Sequence, residues 1–323
     1  MGAASLTAAA AGGAGDARPI VRPPAVRPGA TIGIFAPASP VRAGFVEAGE
    51  RELRGLGFRI RRSPRLFRRA DYTAGSASDR LADFLELAGD DRIDALFCAR
   101  GGYGSMDILP DLDPGRFRER PKAILGSSDA TALLAFASSA GVASFHGPMV
   151  AQQIARGPAA WAAEETLAVL SRVAPGLTLP WDGAETLHSG KAEGVLRGGC
   201  LSLVAALSGT PFALSFRGAL AVIEDIGAKP YQIERMFQQL RLSGALRGAA
   251  GIIFGQMPGC FQHPDQGYTI QQLLARLTEP LGIPAVYGFA TGHTSDRPAR
   301  TVPFETRARM DEDGLTLLEG AVA

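Results

Sequence analysis

The chain has 323 residues, of which 46% are hydrophobic and 20% charged, so it has enough apolar surface for a buried core and enough length for about two domains, which excludes an intrinsically disordered protein. With 33 basic against 32 acidic side chains the net charge is +1, and no bulk attraction to nucleic acid or to an anionic membrane surface follows. Cys98, Cys200 and Cys260 lie far apart and form no C-x-x-C pair, so neither a zinc site nor a disulfide framework is indicated.

Residues 1–28 read as a disordered or extended tail. Within it 1–18 are mainly Ala and Gly, without the basic start and leucine-rich run of a secretory signal, and the segment 19–30 is an extended lead-in with four prolines. No run of 18 strongly apolar residues occurs, so no membrane helix is expected and the expected compartment is the cytoplasm. Over 29–172 short apolar runs alternate with amphipathic ones. Strands are expected at 30–36, 58–60, 93–98, 123–125 and 143–145, with helices at 42–56 and 78–88, a third running to 140 and a fourth around 159–172. That alternation predicts an α/β domain built on a parallel sheet covered on both faces. The Pro-, Gly- and polar-rich stretch 173–193 reads as a linker. A second domain of mixed α and β follows over 194–323. Its strands are expected at 220–223, 251–254 and 285–286, its helices at 233–242 and 270–277, and an antiparallel hairpin at 302–318 around Asp311-Glu312-Asp313-Gly314.

The most informative segment is PKAILGSSDATALLAF at 121–136, where an apolar strand meets Gly126-Ser127-Ser128-Asp129-Ala130 and passes straight into a helix. Small residues around a serine at such a turn permit a strained backbone that lifts the hydroxyl clear of the sheet, and the next N–H, that of Asp129, then faces a developing oxyanion. Helix capping by Ser128 or Asp129 is the alternative reading. A serine needs a base, and the histidines are His146, His188, His263 and His293. His188 and His263 sit in polar surroundings and read as solvated. His146 follows a strand and reads as a satisfied, partly buried ring. His293 lies in the glycine-containing loop YGFATGHTSDRP, which lets an imidazole point into a cleft. A carboxylate to orient that imidazole is offered by LAVIEDIG, a strand that ends on Glu224-Asp225, and the residue types alone do not choose between the two acids. Finally ARGGYGS at 99–105 follows a strand and supplies glycines for a close backbone approach. It matches neither G-x-G-x-x-G nor G-K-[ST], so nucleotide binding is not indicated.

With these segments in order the chain resembles the serine L,D-carboxypeptidases, the muramoyltetrapeptide carboxypeptidase family, whose relatives include the microcin C immunity peptidases. The resemblance runs from about residue 29 to the C-terminus. It rests on GIFAPASP (33–40), ARGGYGS (99–105), ILGSSDAT (124–131), FHGPM (145–149), AEGVLRGGCLSLV (192–204), EDIGAKPYQIERMFQQLRLSG (224–244) and YGFATGHTSDRPARTVPFETRARMD (287–311). It implies a flavodoxin-like parallel-sheet N-terminal domain and a smaller β-rich C-terminal domain. It also implies a triad of Ser128 as nucleophile, His293 as base and Glu224 as orienting acid, with an oxyanion hole from the backbone N–H groups of Gly102 and Asp129. Arg100 and Tyr103 stand where substrate contacts are expected. No metal or cofactor is implied. The implied substrate is a murein tetrapeptide or related small peptide, cleaved to release D-alanine by a cytoplasmic homodimer. Ser127, Asp107 and Cys200 depart from the family's usual residues. Immunity-type relatives cleave aminoacyl-nucleotide amides and usually carry a tryptophan-bearing insertion. This chain has only Trp161 and Trp181 and a short linker, which favours the carboxypeptidase. The non-enzymatic alternative is a murein-peptide binding protein.

Overall fold

The computed structural model describes residues 19–261, 263, 265 and 267–323; the tail expected over 1–18 lies outside them. The lead-in is extended, and backbone hydrogen bonds tie it down. Val21 donates to Gly141 (2.8 Å), Ala25 to Ala323 (2.9 Å) and Ala323 back to Pro23 (2.9 Å).

The first half alternates strand and helix as its periodicity requires. The order is β1 (Thr31–Phe35), α1 (Ala43–Gly55), β2 (Arg59–Arg62), α2 (Ala77–Gly89), β3 (Ala95–Cys98), α3 (Pro114–Glu119), β4 (Ala123–Gly126), α4 (Thr131–Ser139), β5 (Ser144–His146) and α5 (Ala163–Ser171). Strands β1 to β5 are parallel in the order 2-1-3-4-5, the flavodoxin-like arrangement. β3 and β4 are buried at every position, which is why they read as continuous apolar runs. Helix α2 begins at a capping box in which Ser76 and Asp79 satisfy each other's backbone N–H groups.

The second half builds an eight-stranded sheet in the order 6-14-13-8-9-10-11-7. Its elements are β6 (Thr178–Pro180), β7 (Glu185–His188), β8 (Ala192–Cys200), α6 (Leu201–Ala206), β9 (Ala219–Glu224), α7 (Pro230–Leu242), β10 (Gly251–Gly255), α8 (Ile270–Thr278) and β11 (Ala285–Phe289), then β12 (Val302–Phe304), β13 (Arg307–Met310) and β14 (Gly314–Leu317). Strands β8 to β11 are parallel, and antiparallel strands flank them.

Two expectations are corrected here. The stretch 173–193 is not a featureless linker, because β6 and β7 within it form the two outer edges of the second sheet. Edge strands of three or four residues pair on one side only and carry no alternating pattern long enough to read. The segment 302–318 is not a single hairpin either. β13 and β14 do pair around 311–314, but β12 crosses over to lie antiparallel to β5 and completes the first sheet as its sixth strand.

Helix α4 lies where the halves meet. Residues 131–137 are all buried, and the helix packs on β8 and α6 as well as on its own sheet. A helix apolar on every side must be covered on every side. Below it the fully buried Glu305 carboxylate accepts bonds from Arg197 of β8 at 2.7 and 2.8 Å and from the Ser138 hydroxyl of α4. A buried charge held this way resists separation of its partners, so the two halves keep one relative placement.

Candidate active site

β4 ends at Gly126, Ser127 is extended, and Ser128 takes φ +57° before the chain turns into α4. A left-handed conformation at a non-glycine residue costs about 1–2 kcal/mol, and here it sets Ser128 on a sharp strand-to-helix turn. Neither Ser128 nor Asp129 caps the helix. The buried Asp129 carboxylate instead accepts the Ser105 N–H at 2.7 Å and so fastens the loop at 99–105 to the serine turn. Burial pushes the Asp129 carboxyl above its ordinary range, and the bond from Ser105 opposes that shift. The same loop is gripped from the other side by the buried Arg80, which donates to Gly104 O (3.1 Å) and Asp107 (2.6 Å). The unusual acid at 107 thus has a partner.

Within that loop Gly101 lies directly on Ser128: a Cβ there would stand 2.8 Å from Ser128 Oγ and 3.1 Å from the Asp129 nitrogen. No side chain fits that gap. Gly102 follows with φ +113° beside Ser39, and among the described residues neither its N–H nor that of Asp129 donates to any acceptor. Arg100 donates to the Pro40 carbonyl at 3.2 Å. Tyr103 is exposed and packs edge-on against Tyr72 at 5.4 Å, forming an aromatic rim.

From the second sheet comes the acid. Glu224 ends β9 with its side chain fully buried, and its Oε2 accepts both the His293 Nδ1–H (2.7 Å) and the His293 backbone N–H (3.0 Å). Asp225 takes the capping role, accepting the Ser202 N–H in the first turn of α6 at 2.8 Å. Geometry thus separates two acids that residue type could not. Burial works against the Glu224 carboxylate, but the charge of His293 and its hydrogen bonds hold it below the ordinary carboxylate range. Burial likewise lowers His293, and the carboxylate outweighs that and raises the imidazole above its ordinary value. With Nδ1 committed to Glu224, the other ring nitrogen is left to exchange a proton.

Two side-chain hydrogen bonds link the elements that carry these groups. Thr131, three residues after Ser128, accepts the Cys200 N–H at 3.0 Å, and Cys200 is the β8 partner of Glu224 in the ladder. Gln153 donates to Gly292 O at 3.1 Å, which ties the segment after β5 to the His293 loop. Among the described residues no hydrogen bond joins Ser128 Oγ to His293. His146 is not the satisfied, partly buried ring expected: it is fully buried, neither ring nitrogen has a hydrogen-bond partner among the described residues, and it stacks on Phe304 at 5.5 Å with Nε2 3.7 Å from Glu224 Oε1. Burial drives it down to about 4, so it faces the carboxylate as a neutral ring. Nothing in residue type distinguished it, and Gln153 carried no signal beyond its place after FHGPM. His188 is half-buried rather than free in a polar loop; its Nε2 meets Ala275 O and Thr278 Oγ1 of α8. Trp161 is buried, and Trp181 donates to Asp311 O at 2.6 Å, so both serve packing.

Gly292 tests this enclosure. It has φ +66°, and a Cβ there would stand 2.3 Å from Glu224 Cδ, whereas Gly227, also at φ +66°, has nothing within 4 Å. Gly227→Ala is expected to cost about 1–2 kcal/mol for the left-handed backbone alone. Gly292→Ala is expected to cost about 1–3 kcal/mol more because the carboxyl must move. Urea denaturation of the two variants reads the difference, and equal losses would show that Glu224 is not confined by the loop.

Known proteins resemble this chain in sequence and in fold. Residues 193–310 match the LD-carboxypeptidase C-terminal domain family, and residues 32–147 match the LD-carboxypeptidase N-terminal domain family. The probable murein peptide carboxypeptidase of Bacillus subtilis is 36% identical over 295 residues, covering 90% of this chain and 91% of that protein. The microcin C7 self-immunity protein MccF of Escherichia coli is 28% identical over 88% of this chain and 91% of its own. A structure of MccF in complex with glutamyl sulfamoyl guanosine shares the fold with a TM-score of 0.86 at 24% identity, covering 94% of this chain and 99% of that one. The structure of a muramoyltetrapeptide carboxypeptidase from Oxalobacter formigenes superposes with a TM-score of 0.79 at 28% identity, covering 89% of this chain and 97% of that one. By sequence along nearly its whole length and by fold, the chain belongs to the LD-carboxypeptidase family.

Proposed function

We propose that the protein is a serine peptidase that hydrolyses the L,D-peptide bond of a murein tetrapeptide and releases the terminal D-alanine. The observation that carries this reading is the fully buried Glu224 carboxylate bonded to His293 Nδ1, together with a serine held at φ +57° on a strand-to-helix turn. In this mechanism Ser128 Oγ attacks the scissile carbonyl while His293 accepts its proton, and Glu224 stabilises the imidazolium. The oxyanion lies between the N–H groups of Asp129 and Gly102. His293 then protonates the departing amine, and water, deprotonated by the same imidazole, releases the acyl group from Ser128. The serine–imidazole bond forms as substrate seats, as is common for such pairs. Tyr103 and Arg100 line the approach. The relative from Bacillus subtilis and the structure from Oxalobacter formigenes, both named for murein or muramoyl peptides, support this substrate class. With it goes the homodimer of the cytoplasm that the family resemblance implies.

A second reading follows from MccF, which binds a glutamyl sulfamoyl nucleoside: cleavage of an aminoacyl-nucleotide amide by the same residues. Mass spectrometry of murein tetrapeptide incubated with the protein separates the two. Loss of one alanine is expected with the wild type, and Ser128→Ala is expected to lower the rate about 10⁴-fold or more. No loss from folded protein, with turnover of an aminoacyl sulfamoyl nucleoside instead, would favour the second reading.

The pH profile tests the roles of the acid and base. Because His293 must be neutral to accept a proton and Glu224 raises its pKa, kcat/KM should fall as pH drops through a value above the ordinary imidazole range. Glu224→Gln removes the raising charge and leaves burial, so the acid limb should move to lower pH while kcat falls by roughly 10³–10⁴-fold. An acid limb unmoved by this substitution would mean that His293 is not the titrating base.

A further inference from the structure

Beside the loop at 99–105 lies a groove lined by Arg42, Arg100 and Arg156 together with Phe45, Ala151 and Gln152. Among the described residues none of these three arginines has an acid within 4.0 Å, and the one acceptor any of them meets is the Pro40 carbonyl, 3.2 Å from Arg100 Nη1. Arg100 Nε is buried and has no acceptor. The contrast with other arginines of this chain is sharp. Arg62 meets Glu50, Arg80 meets Asp107, Arg197 meets Glu305 and Arg300 meets Glu165. Three guanidinium groups around one groove repel one another unless an anion lies between them. Helix α1 also opens here, with Arg42 as its N-cap, no side-chain cap and no acid in the first turn, so its free N–H groups and dipole add to the same field.

The groove is continuous with the candidate active site. Arg100 precedes Gly101, which touches Ser128. Ala151 donates to Ala99 O at 2.8 Å, and Gln153, two residues on, holds Gly292 beside His293. The strand order reverses between β1 and β3, and the loops carrying Arg42 and Arg100 leave the carboxyl ends of those two strands, where open α/β sheets form their ligand crevice.

We propose that this groove is an anion-binding subsite that takes an oxyanion, carboxylate or phosphate, of the ligand lying across Ser128. Its assignment to a peptide carboxylate outside the scissile bond rests on the peptidase reading above; the subsite itself does not. Arg42 and Arg156, both exposed, supply charge from the two rims, while Arg100 connects the groove to the loop over the serine.

The test uses inorganic phosphate as probe, by calorimetric titration of the wild type and of the Arg42→Gln/Arg156→Gln double variant, with melting curves showing both folded. Saturable binding that weakens about tenfold or more in the variant is expected, from the loss of two charge-assisted contacts. Equal binding, or none to the wild type, overturns the subsite. Two kinetic arms then identify the source of the oxyanion. For a carboxylate, tetrapeptide has a lower KM than the same peptide with its interior carboxylates amidated, and that difference disappears in the double variant with kcat little changed. For a phosphate, competition by adenosine monophosphate disappears instead. Phosphate binding lost in the variant, in a wild type that releases no D-alanine, would overturn the peptidase reading and leave the subsite standing.

Discussion

A single carboxylate sealed from solvent is the constraint around which this molecule is arranged. Glu224 is fully buried, and an ion in that position is tolerable only where hydrogen bonds and an opposite charge replace its lost water. His293 supplies both through its ring and its backbone. The space is closed by Gly255 and Gly292, at which a side chain would collide with Glu224, and by the neutral ring of His146 on the far oxygen side. The same enclosure that makes the ion costly makes its effect on His293 strong, because little water screens the pair. The imidazole is thereby raised in pKa and locked in orientation, which is what a general base paired with a serine requires.

That arrangement exists only when both halves of the chain are in place. Ser128 follows a strand of the first sheet, and Glu224 and His293 belong to the second, so the proposed reactive unit depends on how the two sheets are placed. The junction is correspondingly heavily built. α4 runs from the serine turn into a buried, largely apolar interface, Thr131 bonds the strand next to Glu224, and Glu305 ties β8 to α4. β12 leaves the second half to become the last strand of the first sheet. Strain at Ser128 is sustained because the surrounding contacts over-determine its backbone.

Local chemistry made part of this legible. The turn at 126–130 announced itself through an apolar strand, small residues and an immediate helix, and the strand LAVIE showed an acid where a buried strand ends. What stayed hidden was set by contacts between residues distant in sequence. Glu224 and Asp225 differ only in which way alternate side chains point from β9 and the turn after it, so one reaches His293 and the other caps α6. Asp129 looked like a cap and serves instead as a cross-link to Ser105. His146 acquires its place opposite Glu224 only when the sheets meet. The short edge strands β6 and β7 and the crossing of β12 carry too few residues for periodicity to register.

The account stands most directly on the claim that Ser128 and His293 act as one reactive unit. Intact-protein and peptide mass spectrometry after exposure to a fluorophosphonate, which reacts with activated serines, tests that without reference to any substrate. The account predicts one adduct, mapped to Ser128, absent in His293→Ala and still formed in Ser127→Ala. An adduct on Ser127, one that forms at the same rate without His293, or none on folded protein would contradict it.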